Sequence, residues 1–178
     1  MNTSDISRAL TNHTKTRAVF KGVYSSDTVP LRDRRRNTPS AYVVNLDPSH
    51  MPGSHWVVIY CTRKSKEYFD SYGLPPTIKR LKRKLGSRFK YNNRQLQSLY
   101  STICGQYCLY YIWRRCCGDS MRQIISSFST NTIANDLFVN LHMNNQFEME
   151  EGLMEYNTLR RDRGTQLATP FQPWHMQR

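Results

Sequence analysis

The feature that most constrains the fold is a strongly apolar segment over residues 104–117, which follows a polar loop over residues 94–102. A helix that is apolar on most of its faces is buried, either in a protein core or in a membrane. The uninterrupted apolar run inside it is about six residues long, far short of the ~20 that span a bilayer. The sequence therefore predicts a buried core helix that begins at Cys104.

Short strands are predicted ahead of this helix. Residues 41–46 and 55–61 are rich in Val, Ile and Tyr, and residues 47–53 between them are dense in turn formers. A third strand over residues 67–71 follows the polar residues 62–66 and is expected to pair with the second strand as an antiparallel hairpin. The chain should therefore contain a small sheet that packs against the core helix.

The remaining segments indicate a single α+β domain, since 178 residues with 38% hydrophobic residues can bury one sizeable core. We expect an exposed loop over residues 25–39 and a short strand over residues 89–92. Further helices are predicted over residues 3–11, 75–85, 120–128 and 132–143. Apolar periodicity fades after residue 143. The predicted division is a domain over residues 1–143 and a helix or flexible tail over residues 144–178, flexible from residue 165 on.

The chain is strongly basic: 26 Lys and Arg residues against 13 Asp and Glu residues give a formal net charge of +13. The excess lies in residues 1–147, which hold 22 of the bases and 8 of the acids. A cationic body of this kind fits a nucleic acid or an acidic surface as a partner.

Two clusters hold many of these cations, one in the predicted helix and strand over residues 79–90 and one in the predicted loop. Their members are Lys79, Arg80, Lys82, Arg83, Lys84, Arg88 and Lys90, with Arg34, Arg35 and Arg36 in the loop. Two interpretations stay open. The cations form a solvated helix face, or they bind the phosphates of DNA or RNA without reading sequence and with a strong dependence on salt.

Cysteine usage and the first twenty residues bear on the compartment. The five cysteines are odd in number, and no charged start followed by an apolar stretch opens the sequence. Neither secretion nor a disulfide framework is indicated, so we expect a soluble protein of a reducing compartment with no membrane partner.

The predicted hairpin brings a histidine and an aspartate together. If it is centred between Thr62 and Arg63, paired positions sum to 125 and His55 lies opposite Asp70 on one face. Such a carboxylate fixes the orientation of the ring and stabilises the imidazolium, which is the third-member role in a nucleophilic triad. Taken singly, each residue has an ordinary interpretation, His55 as structural and Asp70 as a turn or cap residue.

Cys104 is placed to act as a nucleophile, because a thiol at a helix N-terminus has a lowered pKa. The ordinary alternative is a small buried hydrophobe. The preceding loop holds Gln95 and Gln97, either of which can bring a side-chain amide beside the Cys104 backbone N–H. Two such donors can stabilise the oxyanion of a tetrahedral intermediate.

A zinc site is the next alternative, since Cys104 and Cys108 lie one helical turn apart and Cys116 and Cys117 follow. Structural zinc sites draw close-spaced ligands from loops and turns, and an apolar helix gives poor tetrahedral geometry. We therefore expect no metal site. Trp56, which directly follows His55, is expected to pack beside it.

Taken together, residues 17–143 resemble the adenovirus protease (adenain) family of cysteine proteases and, more distantly, the ubiquitin-like-protein-specific proteases. The chain order His, Asp, Cys agrees with that group and is opposite to that of papain. The resemblance is carried by Phe20-Lys21-Gly22-Val23-Tyr24, Tyr42-Val43-Val44-Asn45, Gly53-Ser54-His55-Trp56, Asp70 with Tyr72-Gly73, and Cys104-Gly105.

The resemblance implies a papain-like fold of adenain type and a role for each site residue. Cys104 would be the nucleophile, His55 the general base and acid, and Asp70 the residue that orients the histidine. Adenain-like enzymes place the oxyanion glutamine seven positions before the nucleophile, which is Gln97, whereas the cellular relatives use six, which is Ser98. This favours the viral branch and Gln97.

The resemblance also implies partners. The expected substrates are precursor proteins of a virus or virus-like element, cut near small residues, often glycine, in the virion or in the host nucleus or cytoplasm. No covalently bound cofactor is expected, while DNA and a peptide activator are candidate cofactors, and a monomer is favoured.

Two departures limit the transfer. Gly86 stands where adenain has the cysteine that forms a disulfide with its activating peptide, and Asp70 replaces a glutamate. Two other functions stay open: an isopeptidase that removes ubiquitin or a ubiquitin-like modifier, and a non-enzymatic basic protein that packages or anchors nucleic acid.

Overall fold

The structure is a computed structural model that describes residues 1–31 and 38–162, with side chains described up to residue 147 and at Gly152 and Thr158. Five helices and five strands are found in this part of the chain. Their bounds are α1 Thr3–Asn12, β1 Phe20–Ser25, β2 Ser40–Asn45, β3 Trp56–Cys61, β4 Lys66–Phe69, α2 Lys79–Leu85, β5 Phe89–Tyr91, α3 Cys104–Cys116, α4 Met121–Ser126 and α5 Thr132–Asp162. The predicted α+β class is confirmed.

The strands form one mixed sheet in the order β1-β2-β3-β4-β5. The three central strands β2, β3 and β4 are antiparallel, and each edge strand pairs in parallel with its neighbour. Strand β1 was not predicted as a strand. The pairing of β1 with β2 is irregular between Phe20 and Val23, where Gly22 has φ +127°. The strand therefore lacks the regular alternation of apolar and polar residues by which a strand is predicted.

The predicted hairpin of β3 and β4 is present, but its predicted register is wrong by two residues. Cys61 pairs with Lys66, and paired positions sum to 127 rather than 125. The turn is set by Thr62, whose backbone N–H donates to the Ser65 carbonyl at 2.8 Å and whose Oγ1 accepts the Ser65 N–H at 3.0 Å. Because side chains alternate with a period of two, a shift of two keeps every residue on its predicted face.

The sheet is covered on both faces. One face packs against α3, with Ala41, Val43, Val58, Tyr60 and Phe69 in that core, and the other holds α2 through its buried Leu81 and Leu85. Strands buried on both faces appear in the sequence as continuous apolar runs rather than alternating ones. Helix α3 is buried from Cys104 to Ile112 except at Gln106, as predicted for a segment that is apolar on most faces, and its last four residues are half-buried.

Other predicted segments differ from the structure. Helix α5 continues past residue 143 to Asp162, so its predicted end is wrong, and Val29 in the predicted exposed loop is fully buried. The division at residue 143 and the predicted flexibility of residues 165–178 stay predictions, since the latter lie outside the described residues. In the described part of the chain, no helix is both long and apolar enough to cross a membrane.

Candidate active site

His55 and Asp70 meet at one end of the β3–β4 hairpin. His55 directly precedes β3 and Asp70 directly follows β4, and antiparallel pairing brings these two ends together. His55 Nε2 lies 2.8 Å from Asp70 Oδ1, within hydrogen-bond distance. The Asp70 side chain is 2% exposed and that of His55 13%, so the pair is shielded from water.

Backbone contacts hold Asp70 in place. Its Oδ1 also accepts the backbone N–H of Tyr72 at 2.9 Å. Asn92, directly after β5, clamps the Asp70 backbone: Asn92 Oδ1 accepts the Asp70 N–H at 2.9 Å, and Asn92 Nδ2 donates to the Asp70 carbonyl at 2.6 Å. Sequence reasoning missed Asn92, because nothing in its local pattern distinguishes it from an ordinary residue at the end of a strand.

Cys104 is the first residue of α3 and is 9% exposed. The helix has no side-chain cap and no acid in its first turn, so its free N–H groups place partial positive charge at the thiol. Burial raises the pKa of Cys104, but hydrogen bonds from His55 and from the backbone N–H groups of Trp56 and Gly105 outweigh burial and lower it below the ordinary value.

The pKa of His55 changes in the opposite direction. Burial lowers the pKa of His55, whereas hydrogen bonds with Asp70 and Cys104 and the negative charge of both groups raise it, with a net rise from 6.5 to about 9. A lowered thiol pKa beside a raised imidazole pKa favours a thiolate–imidazolium pair at neutral pH.

Gln97 lies in the same region and is fully buried. Its Oε1 accepts the Ser71 hydroxyl at 2.7 Å, and its Nε2 donates to the Ser101 carbonyl at 2.8 Å and to the Tyr72 hydroxyl at 3.3 Å. Tyr72 in turn packs on His55, with ring centroids 4.8 Å apart.

Gln95, the alternative amide, is exposed. Its Nε2 donates to the Gln97 carbonyl at 2.9 Å. The structure thus places the side chain of Gln97, rather than that of Gln95, against Tyr72, the residue that packs on His55. Tyr72 and Ser71, which complete that network, were not assigned a role from the sequence.

Gly73 allows the loop after Asp70 to approach the loop that carries Gln97. It has φ +72°, and a Cβ there would lie 2.4 Å from the backbone carbon of Arg94. The Gly73 N–H donates to the Asp70 carbonyl at 2.8 Å, and the Leu96 and Gln97 N–H groups both donate to the Ser71 carbonyl. The two loops are therefore locked together by backbone contacts.

The predicted phosphate-binding residues lie apart from these loops, on α2 and near β5. Lys79, Arg80, Lys82, Arg83, Arg88 and Lys90 are exposed. Lys84 is half-buried, and its Nζ donates to the Val29 carbonyl, so this ammonium is used within the fold. Arg34, Arg35 and Arg36 lie outside the described residues.

In the described part of the chain, no group of three or more His, Cys, Asp or Glu side chains could hold a metal ion. Cys104 and Cys108 are both buried in the core of the domain, and burial raises the pKa of the Cys108 thiol well above its ordinary value.

A crystal structure of the ASFV pS273R protease, in its selenomethionine form, is among the solved structures similar to this chain. The two are 33% identical over 55% of this chain, with a TM-score of 0.39, and this chain spans 41% of the length of that protein. No protein-family model matches the chain. A search of curated proteins finds no match.

Proposed function

We propose that this protein is a cysteine endopeptidase, with Cys104 as nucleophile. The observation that carries the proposal is the buried constellation at the end of the hairpin. His55 is bonded to Asp70 at 2.8 Å, and it lies close enough to the Cys104 thiol at the start of α3 to lower the pKa of that thiol. Nucleophile, base and orienting group within hydrogen-bond reach are the structural signature of nucleophilic catalysis.

Each step of the reaction uses one of these groups. The Cys104 thiolate attacks the scissile carbonyl, and the His55 imidazolium gives its proton to the leaving amine as the C–N bond breaks. Neutral His55 then takes a proton from water, which hydrolyses the thioester and releases the thiolate. Asp70 holds Nε2, which leaves the other ring nitrogen for the exchange of protons with the cysteine and the substrate.

Gln97 is the proposed side-chain donor to the oxyanion, with the backbone N–H of Cys104 as the second donor. One Gln97 amide hydrogen is held by the Ser101 carbonyl at 2.8 Å, whereas the contact with the Tyr72 hydroxyl is longer, at 3.3 Å. The hydrogen on the longer contact is the one that becomes available to the oxyanion when the Tyr72 hydroxyl moves away.

Substrates of the proposed peptidase are precursor proteins of a virus or virus-like element, cut near small residues, as the family resemblance implies. The exposed cations of α2 and β5 support a second proposal, that nucleic acid assists the enzyme by holding it through phosphate contacts. Helix α2 lies on the opposite face of the sheet from α3, so nucleic acid bound to the α2 cations does not cover the face on which α3 packs.

Thiol labelling combined with a cleavage assay tests the peptidase. Iodoacetamide should label Cys104 faster than Cys117 at pH 7, although Cys117 is the exposed thiol, because the Cys104 pKa is lowered. Cys104→Ala should abolish cleavage of a peptide library and keep the melting temperature, and Cys117→Ala should retain cleavage. Cleavage retained by Cys104→Ala would rule out the mechanism, and equal labelling of the two thiols would favour a non-enzymatic protein.

The isopeptidase alternative is separated by substrate. A ubiquitin-like modifier with a C-terminal fluorophore and a short peptide with glycine at the cleavage site are compared at equal concentration. A higher kcat/KM for the peptide supports the endopeptidase, and a higher value for the modifier supports the isopeptidase.

A further inference from the structure

A pocket in the surface lies near Cys104, the candidate nucleophile. It is a pocket of about 310 Å³ whose lining includes Thr3, Gly53 and Trp56. Trp56 directly follows His55, and its backbone N–H is close enough to Cys104 to lower the pKa of that thiol; Gly53 lies two positions before His55. A peptide bound across Cys104 would therefore pass the mouth of this pocket.

The chemistry of the pocket differs from that of the rest of the protein. Among the described residues that line it, Asp47 is the only one with a formal charge at pH 7, in a chain of net charge +13. Within the described residues, the Asp47 carboxylate accepts no hydrogen bond and forms no ion pair, whereas nearby Asp27 is engaged with the backbone and hydroxyl of Ser49. Asp47 therefore retains its full capacity to accept donors from a ligand.

The backbone at Asp47 is held by two hydrogen bonds, so the attachment point of its carboxylate is fixed. The Asp47 N–H donates to Asn45 Oδ1 at 2.9 Å, and the Asp47 carbonyl accepts the Ser26 N–H at 3.2 Å. Rigid support of this kind lowers the entropy lost when a ligand binds.

Asn45 supplies a donor next to this acceptor. Its Oδ1 is used by the Asp47 and Ser54 N–H groups, so the amide nitrogen is the end left toward Gly53. Gly53 has φ +97°, and a Cβ there would lie 2.4 Å from Asn45 Nδ2, so only glycine lets the amide lie at this place. An amide donor beside a carboxylate acceptor matches a peptide, which offers backbone carbonyls and side-chain donors.

We infer that this pocket is a substrate subsite that takes a lysine or arginine side chain of the peptide, with Asp47 as the residue that recognises the cation. The inference rests on the proposed peptidase activity and adds a specificity rule to it. A hydrogen bond between charged groups is stronger than one between neutral groups, and the partly enclosed pocket reduces screening by water. We expect a preference of about tenfold for a cation over a neutral side chain of equal length, equal to about 1.4 kcal/mol.

The test reads cleavage sites from a peptide library made by digestion at acidic residues, so that lysine and arginine occur at internal positions. For the wild-type protein, Lys and Arg should be enriched at one position near the cut. Asp47→Asn should lose that enrichment among the sites it still cleaves, and Asp47→Arg should shift it toward Asp and Glu. The control Asp119→Asn should keep the wild-type enrichment, since Asp119 does not line the pocket and its carboxylate pairs with Arg114.

The outcomes separate the subsite from the activity. If the wild-type protein cuts no more sites than Cys104→Ala, the peptidase proposal fails and the subsite fails with it. If the wild-type protein cuts without a basic preference at any position, or if Asp47→Asn and Asp47→Arg keep the wild-type preference, the peptidase stands and the subsite is overturned. A preference for Asp and Glu in Asp47→Arg would be a new specificity, which a misfolded protein could not acquire.

Discussion

The substitution Asp70→Asn should move the alkaline limb of the cleavage profile. In the folded protein the pKa of His55 is about 9, against 6.5 in its ordinary state, in spite of the burial that lowers it. A pKa change of one corresponds to ~1.36 kcal/mol, so the imidazolium is stabilised by about 3 kcal/mol. Asparagine keeps the shape of the aspartate but removes its charge, and the Asp70 hydrogen bond is the largest contribution that raises this pKa.

The two reactions of Cys104 respond differently to pH. Cleavage needs the imidazolium as acid, so in the wild-type protein it should fall as pH rises through about 9. Alkylation needs only the thiolate and should stay high above that pH. In Asp70→Asn, the alkaline limb of cleavage should move toward 6.5, and the acid limb of alkylation should move to higher pH, because the thiolate loses part of its cationic partner.

The assay is kcat/KM for a peptide and the rate of iodoacetamide labelling, both across pH 5 to 10 in the two proteins, with Asp27→Asn as control. Asp27 is half-buried, and its carboxylate is bonded to Ser49 rather than to His55 or Cys104, so its substitution should leave both profiles unchanged. An alkaline limb that stays in place in Asp70→Asn would show that Asp70 does not support the charged histidine, and the reasoning would fail.

Three further predictions concern the stability of the site, its activity and the binding of DNA. Asn92→Ala should lower the free energy of unfolding by about 1 to 3 kcal/mol in urea titrations, because it leaves the buried Asp70 N–H without its partner and the Asp70 carbonyl with only the Gly73 N–H; an unchanged midpoint would contradict this. Gly73→Ala should cost about 2 kcal/mol or more and reduce kcat, because its Cβ meets the Arg94 backbone; full activity at wild-type stability would exclude the close approach. Changing the four exposed cations of α2 to glutamine should lower the salt dependence of DNA binding; the four are Lys79, Arg80, Lys82 and Arg83. The slope of log Kd against log salt concentration should fall by about 3 to 4, and an unchanged slope would show that the DNA contacts other residues.

Much of the fold could be predicted from local pattern. The apolar segment that begins at Cys104 is the buried helix α3, and the segments rich in Val, Ile and Tyr are strands β2 and β3. The predicted register of the β3–β4 hairpin is wrong because the Thr62 side chain selects a four-residue turn. Hydrogen bonds within a turn fix its length, and the apolar pattern of the strands does not reveal that length. The common face of His55 and Asp70 survived the error because the shift was even.

Features that depend on contacts distant in sequence could not be predicted. Lys84 belongs to a run of cations, yet it donates to the Val29 carbonyl because the loop before β2 packs over α2. Ile133, Leu137 and Leu141 are apolar, yet they are 62%, 62% and 63% exposed, whereas Val139 and Met143 contact the core. The face that a helix buries is decided by its neighbours, and a single sequence does not reveal them.

The support of the site shows most clearly why the catalytic geometry needs the whole fold. Asp70, Gly73 and Gln97 belong to loops that are joined by backbone contacts, so His55, Asp70 and Gln97 form one unit on the sheet. Cys104 comes from α3, a separate element. Two contacts of Tyr111 fix α3 on strand β4: its ring stacks on Phe69 at 4.3 Å, and its hydroxyl donates to Glu67 at 2.7 Å. Because Phe69 directly precedes Asp70, the residues that set the position of α3 also set the distance between thiol and imidazole.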